Sequence, residues 1–157
     1  MPLSKPELET KVFCKFAKHI GVKVTSFRSC DPPEPDMLCD IECGRLYVEL
    51  TDNTSESIQK SVHANDDTTQ SEPYWIDPFP EHYKQKFSKQ YQTNSYPCDL
   101  VIYFGLHPVT ELGDHFHGKL QDNVTWIKGI KHSSIFRKVW IYDYHNDCVL
   151  ACVNEAN

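Results

Sequence analysis

The stretch Pro35-Asp36-Met37-Leu38-Cys39-Asp40-Ile41-Glu42-Cys43-Gly44-Arg45-Leu46-Tyr47-Val48-Glu49-Leu50-Thr51-Asp52 has the pattern of two short strands joined by a turn at Gly44. Asp36 stands at the entrance to the first strand, and Glu49 stands inside the second. Burying a carboxylate in an apolar, β-branched and aromatic run costs free energy, so this pair needs a compensating partner. A divalent cation held between Asp36 and Glu49 would supply one, because hard ions such as Mg²⁺ take oxygen ligands.

The length of 157 residues predicts a single domain, residues 1–157, with a proper hydrophobic core. The mean hydropathy is negative and no apolar run approaches the length of a transmembrane helix, so we expect no association with a membrane. The start of the chain, Met1-Pro2-Leu3-Ser4-Lys5, lacks the apolar core of a signal peptide. These features predict a cytoplasmic protein.

The net charge of −6 is concentrated in the middle of the chain. Between Cys30 and Glu81 there are thirteen acidic residues and only two basic ones, Arg45 and Lys60. A general nucleic-acid binder usually has a basic surface, so the total charge argues against that class. A metal-dependent phosphodiesterase is less affected, because the ions that it binds neutralise its acidic cluster.

Seven cysteines are an odd number and lack the tight spacing of a disulfide framework, so we expect reduced thiols. A zinc site built from Cys39, Cys43, His115 and His117 is an alternative. It lacks a paired CxxC knuckle, and ordinary burial of the cysteines is the favoured interpretation.

The sequence from Ser4 to Glu7 predicts a helix start, with a serine cap, proline in the first turn and a capping box completed by Glu7. Apolar residues then recur with helical spacing until Gly21 supplies the stop. On this helix Glu7 falls opposite the apolar stripe, whereas Glu9 falls near its centre and is expected to point inward.

The remaining elements follow from local patterns along the chain. Residues 22–28 alternate as a half-buried strand does, and residues 52–80 form a long polar segment that we interpret as a loop or flap. Its aromatic end, residues 73–80, is expected to pack over the edge of the core rather than to stack on bases. Further predictions are a helix at 81–92 with an apolar face of Tyr83, Phe87 and Tyr91, strands at 99–104 and 136–143, and a short helix at 120–130.

The order helix, strand, strand, strand, helix, strand resembles the PD-(D/E)XK nuclease superfamily, the restriction-endonuclease-like fold. The residues that carry the resemblance are Pro35-Asp36 at the second strand and Glu49-Leu50-Thr51 thirteen positions further on. Glu9 matches an additional acidic ligand seen in some branches. The resemblance covers residues 4–104 and implies an α/β (α+β) fold, a mixed sheet with helices flanking it.

The resemblance also implies metal-assisted hydrolysis of nucleic acid, DNA rather than RNA. Asp36, Glu49, Glu9 and the backbone carbonyl of Leu50 would hold Mg²⁺ or Mn²⁺. The family's motif lysine is replaced here by Thr51, which cannot supply its positive charge. Some members carry the lysine on the second core helix, which makes Lys84 the first catalytic candidate and Lys86 the second.

Two other classes remain open from the sequence. A catalytically inactive protein of the same fold would act as an interaction, inhibitor or immunity-type module, with its acidic middle segment facing a basic protein partner. An unrelated α+β domain would make the pairing of Asp36 with Glu49 coincidental. A homodimer also remains open.

Overall fold

The chain is organised around one six-stranded sheet. The structure is a computed structural model that describes residues 3–53, 79–105, 109–111 and 115–154. Its longer elements are α1 (Lys5–His19), β1 (Val24–Ser29), β2 (Met37–Ile41), β3 (Gly44–Asp52), β4 (Cys98–Tyr103), α2 (Phe116–Ile130), β5 (Phe136–Asp143) and β6 (Cys148–Val153). Short 3₁₀ helices lie at His82–Phe87, Val109–Glu111 and Lys131–Ser133.

The six strands lie side by side in the order in which the chain makes them. β1, β2 and β3 form an antiparallel meander. β3, β4 and β5 run parallel to one another, and β6 returns antiparallel to β5. The sheet is therefore mixed, as the α/β prediction requires.

Helix α1 begins as its sequence predicts. The Ser4 Oγ accepts a hydrogen bond from the Glu7 N–H at 3.3 Å, and the Ser4 N–H donates to Glu7 Oε2 at 3.1 Å. This capping box satisfies backbone donors that the first turn leaves without a partner. Glu9 is only 8 % exposed, which confirms that it points inward.

The predicted helix at 81–92 is wrong in type and in length. The structure has a six-residue 3₁₀ helix, His82–Phe87, that ends at Ser88. Its N-cap residue, Glu81, makes no side-chain cap, so no side chain at that position accepts a hydrogen bond from the first backbone N–H groups of the helix. Tyr91 therefore lies beyond the helix instead of extending its apolar face.

Two strands differ from the sequence-based prediction. The strand predicted at 22–28 is mostly exposed rather than half-buried, because β1 is an edge strand with a neighbour only on its β2 side. Its Phe27 is 44 % exposed. β6 was not predicted, since its Cys-Val-Leu-Ala-Cys-Val sequence shows no alternation of apolar and polar residues. In addition, α2 begins at Phe116, four residues before the predicted start at 120.

Two hydrophobic clusters cover the two faces of the sheet. One joins the sheet to α1 through Val12, Phe13 and Phe16. The other joins it to α2 and the first 3₁₀ helix through Phe116, Ile127 and Tyr83. Neither helix of the described segments is long and apolar enough to cross a membrane.

The predicted flap at 52–80 falls mostly outside the described residues, which include Asp52 and Asn53 at its start and Phe79 and Pro80 at its end. Phe79 is 1 % exposed, and its ring contacts those of Tyr83, Phe104 and Phe116. The expected packing of the aromatic segment over the core is confirmed for Phe79. Tyr74 and Trp75 lie outside the described part of the chain.

Candidate functional site

Asp36 and Glu49 meet because of the register of the β2–β3 hairpin. Met37 pairs with Val48, which places Asp36 beside Glu49 at the point where β2 begins. The Asp36 N–H donates to Glu49 Oε1 at 3.0 Å, and the Leu50 N–H donates to Asp36 Oδ2 at 2.9 Å. The backbone at the start of β2 therefore binds the Glu49 carboxylate, and the backbone of β3 binds the Asp36 carboxylate.

The backbone carbonyl of Leu50 points to the side of β3 on which Asp36 lies. The N–H and C=O of one residue in a strand point to the same side, and the Leu50 N–H points to Asp36. The predicted backbone ligand is thus directed toward the Asp36 side of β3.

Two side chains from the segment after β3 complete the surroundings of Glu49. Lys86 Nζ lies 3.0 Å from Glu49 Oε2, and the Tyr91 hydroxyl donates to the same oxygen at 2.9 Å. The Glu49 side chain is only 3 % exposed, whereas that of Lys86 is 23 % exposed. A buried carboxylate is thereby neutralised by a cation that still reaches solvent.

The charges of this cluster change its acid–base behaviour. Burial, together with the nearby charge of Glu49, raises the pKa of Asp36 to about 7, although the hydrogen bond from the Leu50 N–H opposes the rise. Burial and the charge of Glu49 also raise the pKa of Tyr91 well above its usual range. The Tyr91 hydroxyl therefore stays protonated and remains a hydrogen-bond donor.

Glu9 lies close enough to interact electrostatically with Glu49 and Lys86. Burial raises its pKa, and the nearest cation, Lys5, has its Nζ 3.6 Å from Glu9 Oε1. Within the described segments that buried oxygen has no hydrogen-bond partner. The same segments contain no group of three or more His, Cys, Asp or Glu side chains placed to hold one metal ion, so Glu9 does not form a three-carboxylate set with Asp36 and Glu49.

Lys84, the first lysine candidate, is directed elsewhere. Its Nζ pairs with Glu81 Oε2 at 3.0 Å and lies 4.6 Å from the centre of the Trp126 ring. Lys86, the second candidate, is the lysine beside Glu49. Thr51, where the resemblance would place a lysine, is buried in β3.

The cysteines of the alternative zinc site show ordinary environments. The Cys39 thiol is buried and donates to the Leu46 carbonyl at 3.3 Å, and burial raises its pKa to about 11. Cys43 is exposed in the hairpin turn, and all seven cysteines are free.

Tyr91 is the member of the site that the sequence analysis did not identify. It was assigned to the apolar face of a helix, and no local pattern in the sequence indicates its contact with Glu49. Comparison of the chain with protein-family models, curated proteins and solved structures found no match. The geometry around Glu49 is therefore the basis for a functional proposal.

Proposed function

We propose that the protein hydrolyses phosphodiester bonds of nucleic acid, DNA rather than RNA, with Mg²⁺ or Mn²⁺ bound at Asp36 and Glu49. The observation that carries the proposal is the 3.0 Å contact between Lys86 Nζ and Glu49 Oε2, next to Asp36. Two carboxylates with a lysine beside them suit a site that binds a cation and a phosphate together. The resemblance to the PD-(D/E)XK nucleases in element order and the mixed sheet support the same function.

The donor atoms fit a hard divalent cation. The Asp36 and Glu49 carboxyl groups lie close enough to share a proton, and a divalent cation between them would take the place of that proton. Mg²⁺ is usually held by one or two carboxylates, with water and substrate phosphate completing its shell. Asp36, Glu49 and the Leu50 carbonyl would supply the protein ligands.

Each residue then has a defined role. Asp36 and Glu49 would hold and orient the ion. When bound there, it would supply Lewis-acid stabilisation of the phosphate and leaving oxygen and would favour ionisation of the attacking water. Lys86 has three N–H donors, so those not used by Glu49 can bind a phosphate oxygen or the attacking water. Lys86 thereby provides the positive charge that Thr51 lacks.

The proposal is tested by incubating the protein with single- and double-stranded DNA and RNA in Mg²⁺ or Mn²⁺. We expect metal-dependent cleavage of DNA that falls by about 10²-fold or more in Asp36→Asn and Glu49→Gln. Asp40→Asn is the matched control, because Asp40 lies on the same strand and pairs with Arg45 at 3.0 Å. Absence of cleavage by the wild-type protein on every substrate would refute the proposal.

A non-catalytic role is the second candidate, and one observation favours it. The Glu49 carboxylate already accepts hydrogen bonds from the Asp36 N–H, Lys86 and Tyr91. These bonds satisfy the buried carboxylate without a metal ion, so its role can be to stabilise the fold. Such a protein would use its acidic middle segment to bind a basic protein surface. This role predicts no cleavage of any substrate and unchanged partner affinity in Asp36→Asn.

A further inference from the structure

A large cavity lies at the carboxyl end of α2, built from residues that the Asp36 site does not use. Its volume is about 860 Å³, and its walls come from the end of α2, the start of β5 and the end of β6. The basic residues on its wall include Lys128, Lys131 and His132. Ligand pockets of roughly 300–1,000 Å³ accommodate small organic molecules, so the cavity is of suitable size.

Lys131 is the unusual member of this wall. The residue as a whole is only 5 % exposed, but its ammonium reaches solvent and makes no hydrogen bond or ion pair with any residue in the described part of the chain. A lysine can bury its apolar stem while its ammonium stays in water, and the buried stem then fixes where the charge lies on the cavity wall. A ligand with negative charge would pair with this ammonium.

The charge of the described cavity wall is one-sided. Its lining contains no Asp or Glu, although the whole chain carries a net charge of −6. Arg137 also contributes to the lining, but its guanidinium is paired with Asp99 through two hydrogen bonds of 3.0 Å. Lys128 and Lys131 are therefore the free cations that an anion would meet.

Apolar residues form part of the remaining wall, next to the polar Ser134 and Asn154. Pro97, Ile135, Phe136 and Val153 contribute to it, and Ile135 is 44 % exposed. An exposed isoleucine beside a cationic group offers surface for a flat, weakly polar ring next to the anion. Inorganic phosphate alone would leave this apolar surface unused.

We propose that this cavity binds a phosphomonoester attached to a nucleoside, with the phosphate at Lys128 and Lys131 and the base toward Ile135. A phosphomonoester carries close to two negative charges at neutral pH, which matches two lysines. The group can come from a free mononucleotide or from the phosphorylated 5′ end of a nucleic-acid strand. This binding uses neither Asp36 nor Glu49 and is independent of cleavage.

The test is calorimetric titration of the full chain, without divalent metal, with adenosine monophosphate, adenosine, and a short oligonucleotide with or without a 5′ phosphate. We expect binding of a phosphorylated ligand that weakens by about tenfold or more in Lys131→Met, the loss of one ion pair with a charged ligand. Lys119→Met is the matched control, because Lys119 is an exposed lysine of the same helix outside the cavity lining. Asp36→Asn should bind as the wild type does.

Thermal unfolding separates ligand binding from a structural role of Lys131. Methionine keeps the buried stem of the side chain and removes only the ammonium at the cavity wall, so Lys131→Met should be about as stable as the wild type. Tighter binding of the mononucleotide identifies the free ligand as the source, and tighter binding of the 5′-phosphorylated strand identifies the strand end. Lack of binding of both, or equal binding to wild type and Lys131→Met, would overturn the proposal.

Discussion

Lys86 Nζ lies 3.0 Å from Glu49 Oε2, so a short 3₁₀ helix places a positive charge against β3, where position 51 holds threonine. A 3₁₀ helix has about three residues per turn, and residues two apart therefore point in clearly different directions. This is why Lys84, on the same helix, contacts Glu81 and Trp126 instead. The direction in which each side chain leaves the helix, rather than the number of lysines on it, determines which lysine reaches Glu49.

The first prediction concerns these two lysines. Lys86→Met should lower metal-dependent DNA cleavage by about 10²-fold, because the site loses its only cation beside Glu49 within the described residues. Lys84→Met should retain activity within about threefold, since Lys84 contacts neither carboxylate. Initial cleavage rates at saturating Mg²⁺ compare the two variants. Equal losses in both would contradict a separate role for Lys86.

The second prediction concerns pH in the presence of a metal chelator. The pKa of Asp36 is about 7 in the folded protein and about 3.9 in an unfolded chain, so the folded state binds the extra proton between these values. The free energy of unfolding should therefore decrease as the pH rises from about 4 to about 7. Urea unfolding of Asp36→Asn should show a smaller decrease. A wild-type protein that gains stability over this interval would argue against the assignment.

The third prediction concerns Tyr91. Tyr91→Phe removes the hydroxyl that donates to Glu49 Oε2 at 2.9 Å and should lower the free energy of unfolding by about 1–2 kcal/mol. Tyr96→Phe is the control, because Tyr96 is 38 % exposed and its hydroxyl makes no hydrogen bond within the described segments. Chemical denaturation measures both variants. Equal losses of stability in the two variants would mean that the hydrogen bond from Tyr91 to Glu49 does not stabilise the fold.

The fourth prediction concerns the ion pair beneath α1. Asp99 is 4 % exposed and accepts bonds from Arg137 and from the Trp140 indole N–H at 3.3 Å. Arg137→Met leaves this buried carboxylate without its partly exposed counter-charge and should cost about 1.5–3 kcal/mol of stability. Arg45→Met breaks the more exposed pair with Asp40 and should cost about 1 kcal/mol or less. Similar midpoints of denaturation for the two variants would contradict the expected difference between the Asp99–Arg137 pair and the more exposed Asp40–Arg45 pair.

Short-range patterns in the sequence predict much of the fold. The Ser4–Glu7 capping box and the β2–β3 hairpin depend on residues within a few positions of one another, and both are present. The meeting of Asp36 with Glu49 follows from the hairpin register, so it is also accessible to sequence reasoning. The sheet contains both parallel and antiparallel strands, which agrees with the predicted α/β class.

The remaining features depend on contacts across the chain. Tyr91 and Lys86 reach Glu49 over separations of 42 and 37 residues, and no local period encodes such a contact. The 3₁₀ geometry depends on packing of Tyr83 against Phe79 and Asn123, which overrides the periodic pattern of residues 81–92. β1 is exposed because it lies at the edge of the sheet, and the sequence of the strand alone does not indicate that position.

The central claim is that Asp36 and Glu49 form a divalent-cation site, and titration with Mn²⁺ followed by electron paramagnetic resonance tests it most directly. At pH 8 the wild-type protein and Asp40→Asn should each bind Mn²⁺, with Mg²⁺ competing for the site, because the Asp36 carboxyl is ionised above its pKa of about 7. Asp36→Asn should bind at least about tenfold more weakly. Equal Mn²⁺ binding by the wild type and Asp36→Asn, or none by either, would contradict the claim.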